Sequence, residues 1–428
     1  MLRSHFLSGL IILSLPHTGL ACTFFKVTRN GYTMVGNNED AWSINARIRF
    51  ENGRPGEFGA VYLGHFNGSP MREMLDQGGM NEAGLMFDGL SVPRKYMPRK
   101  EGLPWGDFTT VERQIMRTCS TVHEVAAIYA KYDMGLIAHA MIVFVDRNGD
   151  YLVVEGDTLY TGSDATYALG NFRPSTCTNF DAVPIPRYQK GRALIAQGAD
   201  TSLVFCTAVM DSMRSCRTML GNGTLYTNIF DPQRGLVHLY FYHDFTEVRT
   251  FNLKKELAKG DHEMAMGSLF SRKPEYERLV AYVTPFHQRG LFYALLAMMV
   301  CAGIAAFITS LALLRNLIAL VRKRPSPFRG LMHFSLLLSS LMMIVLLPFL
   351  LTNEGIYYFG LGDAVDDLLP ALVYLPLLLC FLTLPLVAWA YQHWRSGRGG
   401  TGRWALPTQA LMQMALVALL FYWDLVLA

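Results

Sequence analysis

Four apolar runs, at residues 291–314, 330–351, 368–391 and 405–428, constrain this chain more than any other feature. Each has the length of ~20 residues that a helix needs to cross the hydrocarbon of a bilayer. They predict a membrane domain of four transmembrane helices over 291–428 and leave the preceding part of the 428-residue chain for one sizeable domain. Composition agrees, since 51% of the residues are hydrophobic and only 17% charged, too apolar for an ordinary soluble domain. The first connection between the runs carries Arg315, Arg322, Lys323, Arg324 and Arg329, and the third carries Arg395, Arg398 and Arg403. The second carries only acids: Glu354, Asp363, Asp366 and Asp367. By the positive-inside rule the first and third connections are cytoplasmic, which places the N-terminal domain and the C-terminus outside. The formal net charge of +4 is therefore read as topology. The expected partner is the lipid bilayer of a cell (inner) membrane, and no nucleic acid is expected. His333 and Asp424 fall near span ends, and Pro348, Pro370, Pro376, Pro385 and Pro407 predict kinks. These suit either a passive anchor or a lipid-facing pocket.

The start of the chain supports the same orientation. Arg3 and His5 precede an apolar stretch from Phe6 to Leu15, and Gly19 and Ala21 supply the small residues of a cleavage site. Residues 1–21 read as a signal peptide. A transmembrane anchor is disfavoured by the short run and by Pro16. A lipidated cysteine is disfavoured by Gly19, where a branched aliphatic residue belongs. Cleavage after Ala21 would leave Cys22 with its thiol and a free α-amine on one residue. The α-amine has an ordinary pKa of ~7.7–8 and can take the thiol proton and later return it to a leaving amine.

Residues 22–270 read as mixed α and β. Cys22–Thr28 and Tyr32–Gly36 form a hairpin across Asn30-Gly31, a pair suited to a tight turn with positive φ. Further strands are expected at 46–50, 60–63, 85–90, 139–145, 151–155, 224–229, 237–242 and 248–251. A capping box at Thr121-Val-His-Glu124 opens one helix, and 186–196 and 203–215 read as two more. Residues 271–290 read as a polar connector. Of the seven cysteines, Cys301 and Cys380 lie in apolar runs, while Cys119, Cys177, Cys206 and Cys216 accompany Cys22 in the exported part. Disulfides are allowed there, with pairings open. No CxxC spacing appears, so no zinc site is expected.

Several motifs follow one another in order. Cys22-Thr23 is followed by Gly36-Asn37-Asn38-Glu39-Asp40, Gln77-Gly-Gly-Met-Asn81-Glu-Ala-Gly-Leu85 and Phe87-Asp88-Gly89-Leu90. Then come His139, Leu169-Gly170-Asn171, Pro186-Arg187-Tyr188, Thr224-Leu-Tyr-Thr-Asn228 and Tyr240-Phe-Tyr-His-Asp244. Together they resemble the choloylglycine hydrolase and penicillin V acylase group of N-terminal-nucleophile hydrolases. The linear amide C–N hydrolase branch is more similar still, and it also resembles the isopenicillin-N acyltransferases. The resemblance covers roughly residues 22–270. It implies an α+β fold, an αββα sandwich with Cys22 at the end of a central strand.

The resemblance also implies catalytic roles. Cys22 would be the nucleophile, Asp40 the holder of its α-amine, Asn171 an oxyanion donor and Arg187 the organiser of charge. Asn37, Asn81, Ser91 and His139 are candidate oxyanion or substrate contacts. Asn37 stands where bile salt hydrolases carry an arginine, and Ser91 where they carry an asparagine, so a linear N-acyl amide is expected in place of a bile acid. The reading is a membrane-tethered amidohydrolase with no metal or organic cofactor, acting on a small N-acyl amide from outside the membrane. Acyl transfer, or a degenerate ligand-binding sensor, would use the same residues. Self-association is left open.

Overall fold

The computed structural model describes residues 22–41, 44–66, 74–216, 223–322, 330–365, 370–395 and 405–426. The expected signal segment 1–21 lies outside them. The chain divides into two compact units, Leu20–Val283 and Thr284–Ala428, described separately here.

The first unit is built on two antiparallel sheets. The chain begins with β1 (Thr23–Arg29), β2 (Tyr32–Ala41), β3 (Ala46–Glu51), β4 (Ala60–Phe66), β5 (Met74–Asn81) and β6 (Met86–Ser91). Two helices follow, α1 (Phe108–Thr118) and α2 (Val122–Tyr129), and then β7 (Ala140–Val145), β8 (Tyr151–Val154), β9 (Leu159–Gly162) and β10 (Thr166–Leu169). A second helical pair, α3 (Pro186–Gln197) and α4 (Leu203–Met213), precedes β11 (Gly223–Asp231), β12 (Leu236–Phe241) and β13 (Asp244–Asn252). The short α5 (Leu253–Leu257), β14 (His262–Ala265) and α6 (Pro274–Ala281) complete the unit. One sheet has six strands in the order β10-β1-β2-β11-β12-β13, and the other has eight in the order β14-β3-β4-β5-β6-β7-β8-β9.

Each sheet carries a helical pair on one face. Phe25, Val27, Met34 and Ile229 of the six-stranded sheet pack against Tyr188 and Ile195 of α3 and Val209, Met210 and Met213 of α4. Tyr62, Phe87, Phe144 and Leu152 of the eight-stranded sheet pack against Val111 and Ile115 of α1 and Val125 and Ile128 of α2. Burying ~1.5–3 kcal/mol per large apolar side chain on each of these faces supplies most of the drive to layer helix on sheet.

Local chemistry explains the elements that position the site. Asn30 and Gly31 both have positive φ, 52° and 73°, the twisted two-residue turn whose geometry suits a hairpin. That turn sets the register: Arg29 pairs with Tyr32 and Thr23 with Asn38. The capping box forms as expected, with Thr121 Oγ1 accepting from the Glu124 N–H and the Glu124 carboxylate accepting from the Thr121 N–H. Helix α1 was not anticipated. Asp107 caps it, and its Val111, Ile115 and Met116 face the core at helical spacing. The polar stretch expected as a connector contains α6, and β14 just before it pairs with β3.

In the second unit, α7 (Arg289–Val321), α8 (Gly330–Thr352), α9 (Ile356–Val365), α10 (Leu375–Arg395) and α11 (Ala405–Tyr422) follow. Among the described residues three helices are long and apolar enough to cross a membrane: 289–321, 331–352 and 372–392. The fourth expected span is the shorter α11. Polar side chains tie it to its neighbours. Gln413 accepts from Ser339 of α8 and donates to Leu379 O and Thr383 Oγ1 of α10, both at 3.0 Å, while Gln409 donates to Ser340 at 3.3 Å. Interhelical hydrogen bonds of this kind take over where lipid removes the hydrophobic drive between helices.

Candidate active site

Continuing the β1–β2 ladder one step beyond Thr23–Asn38 puts Cys22 opposite Glu39. The Cys22 thiol is buried, 4% exposed, and donates to Glu39 Oε2 at 3.4 Å. On the other side of β1, Phe24 pairs with Leu169 of β10, so the chain two residues later brings Asn171 level with Cys22. The thiol therefore sits at the end of β1, between two flanking chains that carry polar residues.

Period-2 alternation divides the polar run of β2. Asn38 turns to the helical side, where it donates to Thr23 Oγ1 and Met210 O and accepts from Thr227. Asp40 pairs with Thr224 across the ladder, and Thr224 donates to its Oδ1 at 2.6 Å. Its other oxygen accepts from Arg187 Nη1 at 2.6 Å. Arg187 lies in the first turn of α3, which Pro186 starts with its preset φ. Arg187 Nη2 donates to Asn171 Oδ1 at 3.0 Å, and Asn171 Nδ2 donates to Ser91 O at 2.7 Å. One chain of hydrogen bonds thus links Thr224, Asp40, Arg187, Asn171 and Ser91. Four residues singled out in the sequence meet in it, although Ser91 contributes its carbonyl and not an N–H.

The opposite face of β2 carries Asn37 and Glu39. Asn37 pairs with Asn228 of β11 and Glu39 with Tyr226. Glu39 Oε1 lies 3.7 Å from His65 Nε2 of the eight-stranded sheet, so this face looks into the space between the sheets. Asp88 of β6, fully buried, also acts on this cluster. Gly78 stands opposite Asp88, and a Cβ there would come within 3.0 Å of its Oδ1. Both polar atoms of Asn37, both of Asn228, both oxygens of Asp88 and the Tyr226 hydroxyl are buried with no formed hydrogen bond. Asn37 is still close enough to Asp88 for its amide to favour the ionised carboxyl. Buried polar groups without partners are rare, and a cluster of them is what a polar ligand or water would satisfy.

The electrostatics follow from burial. The Cys22 thiol is pushed well above its ordinary value by desolvation, then by the charges of Glu39, Asp40 and Asp88, with the Asp40 N–H acting in the opposite sense. Desolvation pushes the Asp40 carboxyl up from 3.8 to about 6, although Arg187 and Thr224 pull it down. Asp88 is held well above the carboxylate range by burial first and Glu39 second.

Two candidates take other roles. Asn81 Nδ2 donates to Met116 O at 2.9 Å and Cys119 O at 2.8 Å, and its Oδ1 accepts from the Leu85 N–H at 3.0 Å. It closes the β5–β6 turn onto the end of α1, with its side chain fully engaged. His139 is exposed just before β7, and its carbonyl accepts from the Val92 N–H. Glu39, Thr224 and Asn228 join the cluster although the motifs that contain them assigned them no role. The hairpin register pointed to Glu39, because a two-residue turn at Asn30-Gly31 forces the pair Cys22–Glu39.

Solved structures similar to this chain include the conjugated bile acid hydrolase of Clostridium perfringens, represented by two variants. One is 16% identical, with 59% of this chain and 97% of that chain covered and a TM-score of 0.45. The other is 17% identical, with coverage of 57% and 96% and a TM-score of 0.43. Penicillin V acylase from Agrobacterium tumefaciens is 14% identical, covering 55% of this chain and 86% of its own, with a TM-score of 0.43. No family model and no curated protein matches the chain.

Proposed function

We propose that this chain is a membrane-tethered amidohydrolase of the N-terminal-nucleophile type. In this reading Cys22, freed by removal of residues 1–21, cleaves a linear, non-peptide C–N bond of an N-acyl compound. The observation that carries the reading is Cys22 at the end of β1 with the Asp40 backbone N–H acting on its thiol, Asp40 itself being bonded to Arg187 and Arg187 to Asn171. A thiol alone is a packing residue. A thiol beside a locked carboxylate, at a residue whose nitrogen becomes a free amine on cleavage, is a nucleophile with its base attached.

Asp40 is the counter-ion and holder of the α-amine. The α-amine takes the thiol proton as sulfur attacks the acyl carbon. Asn171 spends one amide hydrogen on Ser91 O and has a second for the oxyanion, a contribution of about 3–4 kcal/mol when such a donor is preorganised. The C–N bond then breaks, and the α-ammonium returns its proton to the leaving amine. Water attacks the acyl-thioester, releases the carboxylic acid and restores the thiol. Asn37, Asn228 and Asp88, with their free polar atoms, form the part of the site available to bind the substrate amide. The apolar helices of the second unit anchor the enzyme in the bilayer, and the basic first and third connections orient the catalytic unit to the outside.

The test is mass spectrometry of the mature N-terminus, with labelling by an electrophilic amide or β-lactam probe. The reading expects an N-terminal Cys22 that forms a thioester with the probe, and no adduct in Cys22→Ala. A retained leader, a lipidated Cys22 or labelling that persists in Cys22→Ala overturns it.

A further inference from the structure

A second cluster of ligating side chains lies among residues the proposed reaction does not use. Cys216 follows α4 by three residues, His243 sits in the β12–β13 turn, and Glu275 lies in the first turn of α6. His243 Nε2 is 3.6 Å from Cys216 Sγ and 2.8 Å from Glu275 Oε2. All three candidate ligand atoms lie within 4.8 Å of one another. A histidine–carboxylate pair accounts for two of them, but not for a sulfur directed at the same nitrogen. His243 Nδ1 is buried with no partner, so every contact the ring makes through nitrogen converges on this point.

The backbone holds His243 there. Tyr242 and His243 have φ of 57° and 48°, a conformation bulky residues seldom adopt. Their turn is pinned by Tyr242 N–H to Leu225 O at 2.8 Å, Arg214 Nη1 to His243 O at 3.0 Å and the Tyr242 ring against Tyr276 of α6.

We propose that Cys216, His243 and Glu275 bind a divalent cation of the zinc class, with the fourth position left to water. Thiolate, imidazole and carboxylate are the donor set zinc accepts, and three protein ligands with one open position is a common zinc arrangement. Zinc–ligand bonds of ~2.0–2.3 Å at tetrahedral angles separate ligand atoms by roughly 3.3–3.7 Å. The sulfur–nitrogen distance already fits, and the nitrogen–oxygen distance opens slightly as the cation replaces the shared proton. Binding releases the Cys216 proton to solvent and requires the His243 proton to sit on Nδ1.

The ion would join three segments beside the support of Asp40. The Ser215 N–H donates to Thr224 Oγ1 at 2.9 Å, and the Thr224 N–H donates to Ser215 O at 2.9 Å. Thr224 in turn donates to Asp40. Metal binding stands independently of the amidohydrolase reading.

The experiment uses the full-length chain in detergent, stripped with a chelator and titrated with zinc, then with cobalt as a spectroscopic probe. The expectation is one equivalent of zinc per chain and a thiolate-to-cobalt charge-transfer band. Cys216→Ser, His243→Asn and Glu275→Gln should each weaken binding about tenfold or more. Cys216→Ser should abolish the band, and because Cys216 is exposed this variant keeps the fold intact. Cys22→Ser should leave both readouts unchanged. Absence of a stoichiometric site, binding that Cys216→Ser leaves intact, or a band lost in Cys22→Ser instead overturns the proposal.

Discussion

Asp40 gives the sharpest test of the site, because burial keeps its charge costly even though Arg187 pairs with it. In the chain with the Ala21–Cys22 peptide intact, burial pushes its carboxyl from 3.8 to about 6. Between those values the folded state binds the proton and the unfolded chain does not. Stability therefore falls as pH rises through this window, and the loss is complete above about pH 6. At 1.36 kcal/mol per pH unit, the gap makes the ionised Asp40 cost about 3 kcal/mol at pH 7.5. The perturbation is Asp40→Asn, placed in an Ala21→Leu background that denies a signal peptidase its small residue. The assay is urea unfolding of the detergent-solubilised chain, read by pulse proteolysis of the Leu20–Val283 unit at a series of pH values. Asp40→Asn should be the more stable form by about 2–3 kcal/mol at pH 7.5 and equal to its parent near pH 4. In the cleaved protein, where an ammonium would face Asp40, the advantage should shrink. A variant destabilised by the same amount at every pH would refute the reasoning, because it would show a structural hydrogen-bonding role with no buried charge at stake.

Four other substitutions separate the roles of neighbouring residues. Glu39→Gln removes the largest charge acting on Cys22, so the pH at which Cys22 reacts with a small alkylating reagent should move down. Arg187→Met strips Asp40 of its ion pair and raises its carboxyl further, so under the proposed mechanism the acidic limb of the rate profile should move to higher pH. Asn81→Ala leaves two buried carbonyls and one N–H without partners and should cost about 2–4 kcal/mol in unfolding measurements without changing KM. His139→Ala, at an exposed position, should shift stability by less than about 0.5 kcal/mol and leave turnover unchanged.

The hairpin was legible because Asn30-Gly31 is a local signal with a forced register, and Cys22 opposite Glu39 follows from it. The helical pair α3–α4 was legible from Pro186 and from apolar spacing. Asp40, Asn171 and Arg187 were legible through ordered motifs, but the carbonyl of Ser91 as the end of their network was not, since backbone partners leave no mark in side-chain identity. Asn81 looked like a site residue because an asparagine after Gly-Gly-Met carries the same letters whether it meets a substrate or caps a helix. Only the positions of Met116 O and Cys119 O decide between these. Helix α1 was hidden because its start is marked by little besides Asp107 and its apolar face rests on Val111, Ile115 and Met116 alone. The Cys216–His243–Glu275 cluster was invisible because spacing rules detect ligands close in sequence, and these come from three elements.

Under the proposed reading, the charges around Cys22 give cleavage an effect beyond removal of the leader. The charges that act most on the buried thiol, those of Glu39, Asp40 and Asp88, are negative, and each raises its pKa. Asn37 stands where the resemblance expects an arginine, so no side chain at that position offsets them. A thiol so placed stays protonated and inert, which suits a chain still carrying residues 1–21. Under the proposed reading, cutting the Ala21–Cys22 bond places one positive charge on the nitrogen of the same residue, next to Asp40. That charge opposes Glu39, Asp40 and Asp88 together. In that reading the missing arginine and the free α-amine are two sides of one design: position 37 supplies no cation to the thiol, and removal of the leader supplies one. Restoring the arginine tests this directly. Asn37→Arg in the uncleaved Ala21→Leu chain should raise Cys22 reactivity toward a small alkylating reagent, whereas in the cleaved protein the same change should add little. Equal gains in both forms would mean that the α-ammonium does not act on the thiol.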